Sequence, residues 1–203
     1  MLSNPNSGIS CDKSAEIPAG FSLIELMIVL SVFSILLAVG APALGPLLHD
    51  IEIRGSAEGL RAVLQKARTE AVTRNALVRI YFTNVSGRPA WTLGCVRSGS
   101  RCPATISSYS ANADTQIRWG AARSSDQIAL STALVPGNRL PSGVTFNALG
   151  TAPGVGINTD VSRIDVTHVI NKQAKRLVLM ITAAGAIRLC DPSARSDSVL
   201  RCS

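Results

Sequence analysis

Few residues in this chain could do chemistry, and most of them stand apart. Two histidines, His49 and His168, have no nucleophile motif beside them, so each reads as a surface or core imidazole. Gly150, Gly154 and Gly156 make one loop glycine-rich, but it lacks the Gly-Lys-Ser/Thr ending that a phosphate cradle needs. The five cysteines are Cys11, Cys95, Cys102, Cys190 and Cys202; six residues separate Cys95 from Cys102 and eleven separate Cys190 from Cys202. Zinc sites use closely spaced pairs with two to four intervening residues, so no metal and no other cofactor is expected. Without a base-and-nucleophile constellation, the chain is expected not to be an enzyme. One carboxylate is out of place: Glu25 stands at the head of residues 26–48, a run of 23 without a charged side chain.

That run sets the broad class. At ~1.5 Å per residue a helix of its length reaches roughly 35 Å, enough for a bilayer core of about 30 Å. A carboxylate at its edge costs ~2.5–3.5 kcal/mol on insertion scales, so Glu25 is read as functional. A cleaved secretory signal with Ala41-Pro42-Ala43 as cut site fits poorly, because the apolar core of such signals is about 7–15 residues behind a basic segment. Residues 1–20 hold only Lys13 against Asp12 and Glu16. Overall, 46% of the 203 residues are hydrophobic and 16% charged, with mean hydropathy +0.27, which excludes global disorder. Lys+Arg 20 against Asp+Glu 13 gives +7, a bias toward anionic surfaces. Only 4% of residues are aromatic, which disfavours a stacking platform for nucleic acid.

The segment Gly20-Phe21-Ser22-Leu23-Ile24-Glu25-Leu26 resembles the class III processing signal of type IV pilins and type II secretion pseudopilins. The resemblance implies that prepilin peptidase cuts between Gly20 and Phe21, methylates the new N-terminus of Phe21, and leaves the apolar helix attached. It also implies that Glu25 offsets the methylated ammonium of a neighbouring subunit and that Pro42 kinks the helix for filament packing; proline removes a helical hydrogen bond. A buried ion pair of that kind serves register more than stability. A second string, Ala67-Arg68-Thr69-Glu70-Ala71-Val72-Thr73-Arg74-Asn75, is similar to the helix end of the GspH/FimT branch. Some FimT-type minor pilins are understood to take up DNA through a Gly-Arg-x-Arg motif; here the string reads Gly185-Ala186-Ile187-Arg188, with the first arginine replaced. Arg188, Arg195 and Arg201 are therefore the candidate DNA contacts, with Arg97 and Arg101 as further basic positions, and a solvated basic surface is the plainer reading.

These residues need elements to hold them. Ile53, Ala57, Leu60, Leu64, Ala67 and Ala71 recur at spacings of three and four, which predicts an amphipathic helix to about residue 75. Gly55 and Gly59 lower its helicity by about 1 kcal/mol each. Beyond it the period falls toward two, and strands are predicted at 76–83, 89–97, 115–119, 127–131, 143–147, 162–170, 176–182 and 185–190, with Ala183-Ala184-Gly185 closing the last hairpin. The predicted fold is α+β: a long N-terminal helix, membrane-spanning in its first half, packed on an antiparallel β-sheet head, as in pilins. The predicted organisation is 1–20 leader, 21–48 transmembrane and filament-core helix, and 49–203 periplasmic head. Such a chain sits in the inner membrane as a single pass and then moves into a filament. In that oxidising compartment Cys95–Cys102 and Cys190–Cys202 are the expected disulfides, because both pairs are local and bracket polar loops, although four cysteines allow three pairings.

Three functions follow. The first is a minor pilin that helps prime a type IV pilus at or near its tip. The second is a minor pseudopilin of a type II secretion system. The third is a membrane-anchored binding protein unrelated to filaments. For the first two the partners are other pilins or pseudopilins, prepilin peptidase and the inner membrane, with DNA as a further candidate.

Overall fold

A computed structural model describes residues 22–170, 174–195 and 197–202, with the side chains of 39–44 and 46 left aside. Gly20 and Phe21 thus lie outside the described residues. The backbone divides into two compact units that meet at Ala43 and Leu44. Helix α1 (Leu23–Arg74) begins in the first unit. There its apolar side chains are exposed all round, from Leu23 and Ile24 to Leu36 and Leu37. Ser31 and Ser34 donate their hydroxyls back to the carbonyls of Ile28 (2.8 Å) and Leu30 (2.7 Å), so neither needs water. Among the described residues no helix is long and apolar enough to cross a membrane.

In the second unit the predicted stripe is realised: Ile53, Ala57, Leu60, Leu64, Ala67 and Ala71 are all buried. They share one core with inward residues of two four-stranded antiparallel sheets. The first sheet comprises β1 (Val78–Val85), β2 (Arg88–Cys95), β3 (Ser107–Ser110) and β5 (Ser142–Phe146), ordered β3-β2-β1-β5. The second comprises β4 (Ile117–Ala122), β6 (Arg163–His168), β7 (Leu177–Ile181) and β8 (Ile187–Cys190), ordered β4-β6-β7-β8. A short helix, α2 (Pro153–Gly156), lies in the glycine-rich loop. The β1–β2 hairpin closes on Ser86 and Gly87, both at positive φ (52° and 80°), the conformation a two-residue turn needs to match strand twist. Gly185, at φ 78°, closes the predicted β7–β8 hairpin; a Cβ there would come within 2.0 Å of the Gly150 carbonyl oxygen.

The helix end shows why its sequence reads as it does. Asn75 takes a left-handed φ of 49°, its N–H donates to the Val72 carbonyl and the Ala76 N–H donates to that of Ala71. This double closure caps the helix, and asparagine tolerates the required φ better than most residues. Glu70 pairs with Arg74 at 2.5 Å across one turn, and Arg74 Nη1 donates to the Arg101 carbonyl at 2.8 Å.

The predicted antiparallel head is realised as two sheets, and two strand expectations are corrected. Residues 107–110 form a strand that apolar alternation does not reveal. Residues 127–131 are not a strand: their carbonyls serve two arginines instead of a ladder. Arg163 Nη1 donates to Ile128 and Ala129, both at 3.0 Å, and Arg176 Nη2 to Leu130 at 2.6 Å. Both guanidiniums also grip Asp165, which is fully buried.

Candidate functional site

The residues predicted to act occupy three separate places. At the N-terminal end, Glu25 is exposed in the first turn of α1, where the helix dipole favours a negative charge. Pro42 falls within α1, and its side chain lies outside the described residues.

The second place is the first cysteine loop. Cys95 and Cys102 are bonded, with Cα atoms 5.7 Å apart. Arg97 and Arg101 are carried on this loop, next to the C-terminal end of α1 through the Arg74 contact.

The third is the C-terminal tail. Cys190 and Cys202 are bonded, with Cα atoms 5.0 Å apart, so the tail returns to the end of β8. The Asp191 N–H donates to the Leu200 carbonyl at 2.6 Å, which closes the loop beside the disulfide. Arg188 is exposed on β8, an edge strand, while Arg195 and Arg201 are exposed on the tail loop. The depression around Arg195 also takes in Asp50, Asp191 and Asp197, so its field is mixed in sign.

Two groupings escaped sequence reasoning. His49 and His168, far apart in the chain, meet with ring centroids 4.3 Å apart, and His168 Nε2 lies 3.4 Å from Glu52 Oε2. Trp91 and Tyr109 stack across β2 and β3 with centroids 6.1 Å apart. Below them Trp119 Nε1 donates to Ser56 Oγ on α1 at 3.3 Å. No local pattern marks either grouping; only sheet register and helix packing create them.

The surroundings of Asp126 move its titration. The hydrogen bond from Arg139, with help from the Arg123 N–H at 2.9 Å, holds its pKa below the usual 3.8, against a smaller opposing effect of burial. A depressed folded-state pKa gives stability that is present above the unfolded value and lost as pH falls through the folded one. Arg139→Gln is therefore expected to lower stability at pH 7 by about 1 kcal/mol or less and to flatten its decline below pH 4. Urea midpoints at pH 3 and pH 7 check this; an unchanged acid slope contradicts it.

The family model described as type II transport protein GspH matches residues 56–185. A prokaryotic N-terminal methylation motif matches residues 18–41. None of the curated proteins compared matches the chain. Among solved structures, the type IV minor pilin FimU of Pseudomonas aeruginosa strain PAO1 is similar in two crystal forms. The P21 form is 23% identical, covering 72% of this chain and 94% of that one with a TM-score of 0.48. The P65 form is 22% identical, covering 71% and 98% with a TM-score of 0.46.

Proposed function

The chain belongs to the GspH family, and from that premise we propose that it is a minor pilin of a type IV pilus, helping to prime assembly at or near the tip. The carrying observation is the methylation motif over residues 18–41, which contains Gly20-Phe21 with Glu25 four residues on and opens a helix apolar on every side. Such a helix is unstable in water and needs a bilayer or a bundle around it. On this reading residues 26–48 anchor the precursor in the inner membrane, the head lies in the periplasm, and the same helix later packs among other pilins. Its role is to assemble, without catalysis.

A second reading, a minor pseudopilin of a type II secretion system, is favoured by the family description itself. The four head cysteines and the basic head lean toward the pilus. Recovery of the chain in sheared pili, against loss of protein secretion on its deletion, separates the two.

Processing tests what both readings share. The mature chain is expected to begin with N-methylated Phe21 and to have 183 of the 203 residues, since the first 20 leave. Mass spectrometry of the N-terminus reads this directly. A chain starting at Leu44 would assign the cut to signal peptidase instead, and normal maturation after Gly20→Trp would sink the assignment.

DNA is a weaker proposal. Without residues 1–20 the charge balance is Lys+Arg 19 against Asp+Glu 11, or +8. With one arginine of the motif absent and Asp191 and Asp197 beside Arg195, duplex DNA should bind no tighter than about 10⁻⁴–10⁻⁶ M and fall off steeply with salt. Titration at two salt concentrations checks this; Arg188→Ala should weaken binding and Ala186→Arg strengthen it. Indifference to both makes the basic face a solvated surface only.

A further inference from the structure

A groove of about 630 Å³ opens between α1, the β2–β3 edge of the first sheet and β4 of the second. On the helix side stand Gly55 and Gly59, one turn apart, each with nothing within 4 Å of where a Cβ would be. The facing wall is the Trp91–Tyr109 pair, direct cross-strand neighbours whose rings stack with an inclination of only 23°. Tyr109, on the edge strand β3, is 49% exposed. Among the described residues, the only charged groups lining the groove are the carboxylates of Glu52 and Asp114, both exposed, and Glu52 Oε2 also lies 3.4 Å from His168 Nε2.

The charged lining decides the class of occupant. The chain carries Lys+Arg 20 against Asp+Glu 13, so a groove whose charged lining is acidic runs against its overall charge. Two carboxylates there repel phosphates and other anions and attract a cation. Aromatic faces attract the same ligand, because the negative face of the ring quadrupole favours a guanidinium or ammonium lying over it. A neutral oligosaccharide would use the rings but leave the Asp114 carboxylate covered without counter-charge, which is costly. The glycines add reach: where no side chain projects from the helix, a partner backbone can lie close against it. Tryptophan and tyrosine walls of this kind dominate the energetics of protein–protein contacts.

We propose that this groove docks a basic segment of a partner polypeptide, with an arginine or lysine side chain lying against the Trp91–Tyr109 stack and its charge met by Asp114 and Glu52. The proposal is independent of which filament the chain joins. Because Gly55 has open space at its Cβ position and lies in a helix, Gly55→Leu fills the groove without straining the fold. Asp114→Asn removes one charge at an exposed position.

The test uses the full chain in detergent micelles, titrated with the peptide acetyl-Ala-Arg-Ala-Arg-Ala-amide and followed by tryptophan fluorescence and calorimetry. The same peptide with glutamate for arginine, and the neutral sugar chitotetraose, are the comparison ligands. The expected result is saturable binding of the arginine peptide that weakens about fivefold or more in Trp91→Leu and Asp114→Asn, and is lost in Gly55→Leu. Binding unaffected by these three substitutions, binding of the glutamate peptide or the sugar at equal strength, or no saturable binding would each overturn the proposal.

Discussion

Asp165→Ala is expected to cost about 3–5 kcal/mol, the range for removing one partner of a buried charge pair. That is a large share of the 5–15 kcal/mol that holds a typical domain together. Asp165 is fully buried in β6 and answers four donors. Its Oδ1 accepts from Arg163 Nε at 2.7 Å, and its Oδ2 accepts from Arg163 Nη2 at 2.9 Å, Arg176 Nη1 at 2.5 Å and the Leu134 N–H at 3.0 Å. Without the carboxylate, two guanidiniums face each other across a cavity, with only carbonyls left to solvate them. The loop that those carbonyls belong to loses its anchor as well, since Arg163 also holds Thr132 at 2.6 Å. Urea unfolding of the head, followed through Trp91 and Trp119, should show the midpoint falling sharply with the slope unchanged. Arg176→Ala should cost less, because it leaves the Arg163–Asp165 pair intact. A midpoint for Asp165→Ala within 1 kcal/mol of the parent would show that the triad is no keystone.

The same triad explains where sequence reasoning stops. Arg163 and Asp165 alternate with Ile164 and Val166, so β6 reads as a strand with one wet face. That face is dry, because the segment around residues 128–134 folds over it and spends its carbonyls on the arginines. Ile128 and Leu130 gave that segment the alternation of a strand, but alternation does not show where a carbonyl goes. The opposite error arose at β3: three serines and Tyr109 carry no apolar pattern, and only pairing with β2 makes them a strand. The groove wall followed β3 out of view, since Trp91 becomes half of an aromatic surface only once Tyr109 lies opposite. Elements whose cause is local were legible. The α1 stripe, the Asn75 helix stop, the Gly185 hairpin and the two short-range disulfides each rest on residues within a few turns or one loop of each other.

Glu25→Ala is expected to leave processing and insertion intact while lowering incorporation into the proposed filament by tenfold or more. Two effects of the substitution both favour the membrane pool over the filament, and their sizes set the phenotype. Removing the carboxylate eases entry into the bilayer, where it costs ~2.5–3.5 kcal/mol. Within the filament the same change strands the methylated ammonium of a neighbouring chain beside apolar helices, and breaking a buried pair costs about 3–5 kcal/mol. The precursor thus gains in the membrane what the filament loses, and both shifts hold the subunit in the membrane pool. Every tenfold change in partition corresponds to about 1.4 kcal/mol, so even a partly solvated pair produces a visible deficit. Immunoblots of sheared filaments, normalised to the membrane fraction, measure the ratio. Glu25→Asp keeps the charge on a shorter arm and should fall between the two. Incorporation of Glu25→Ala at the parental level would mean that the apolar surface of α1 sorts the subunit without the ion pair.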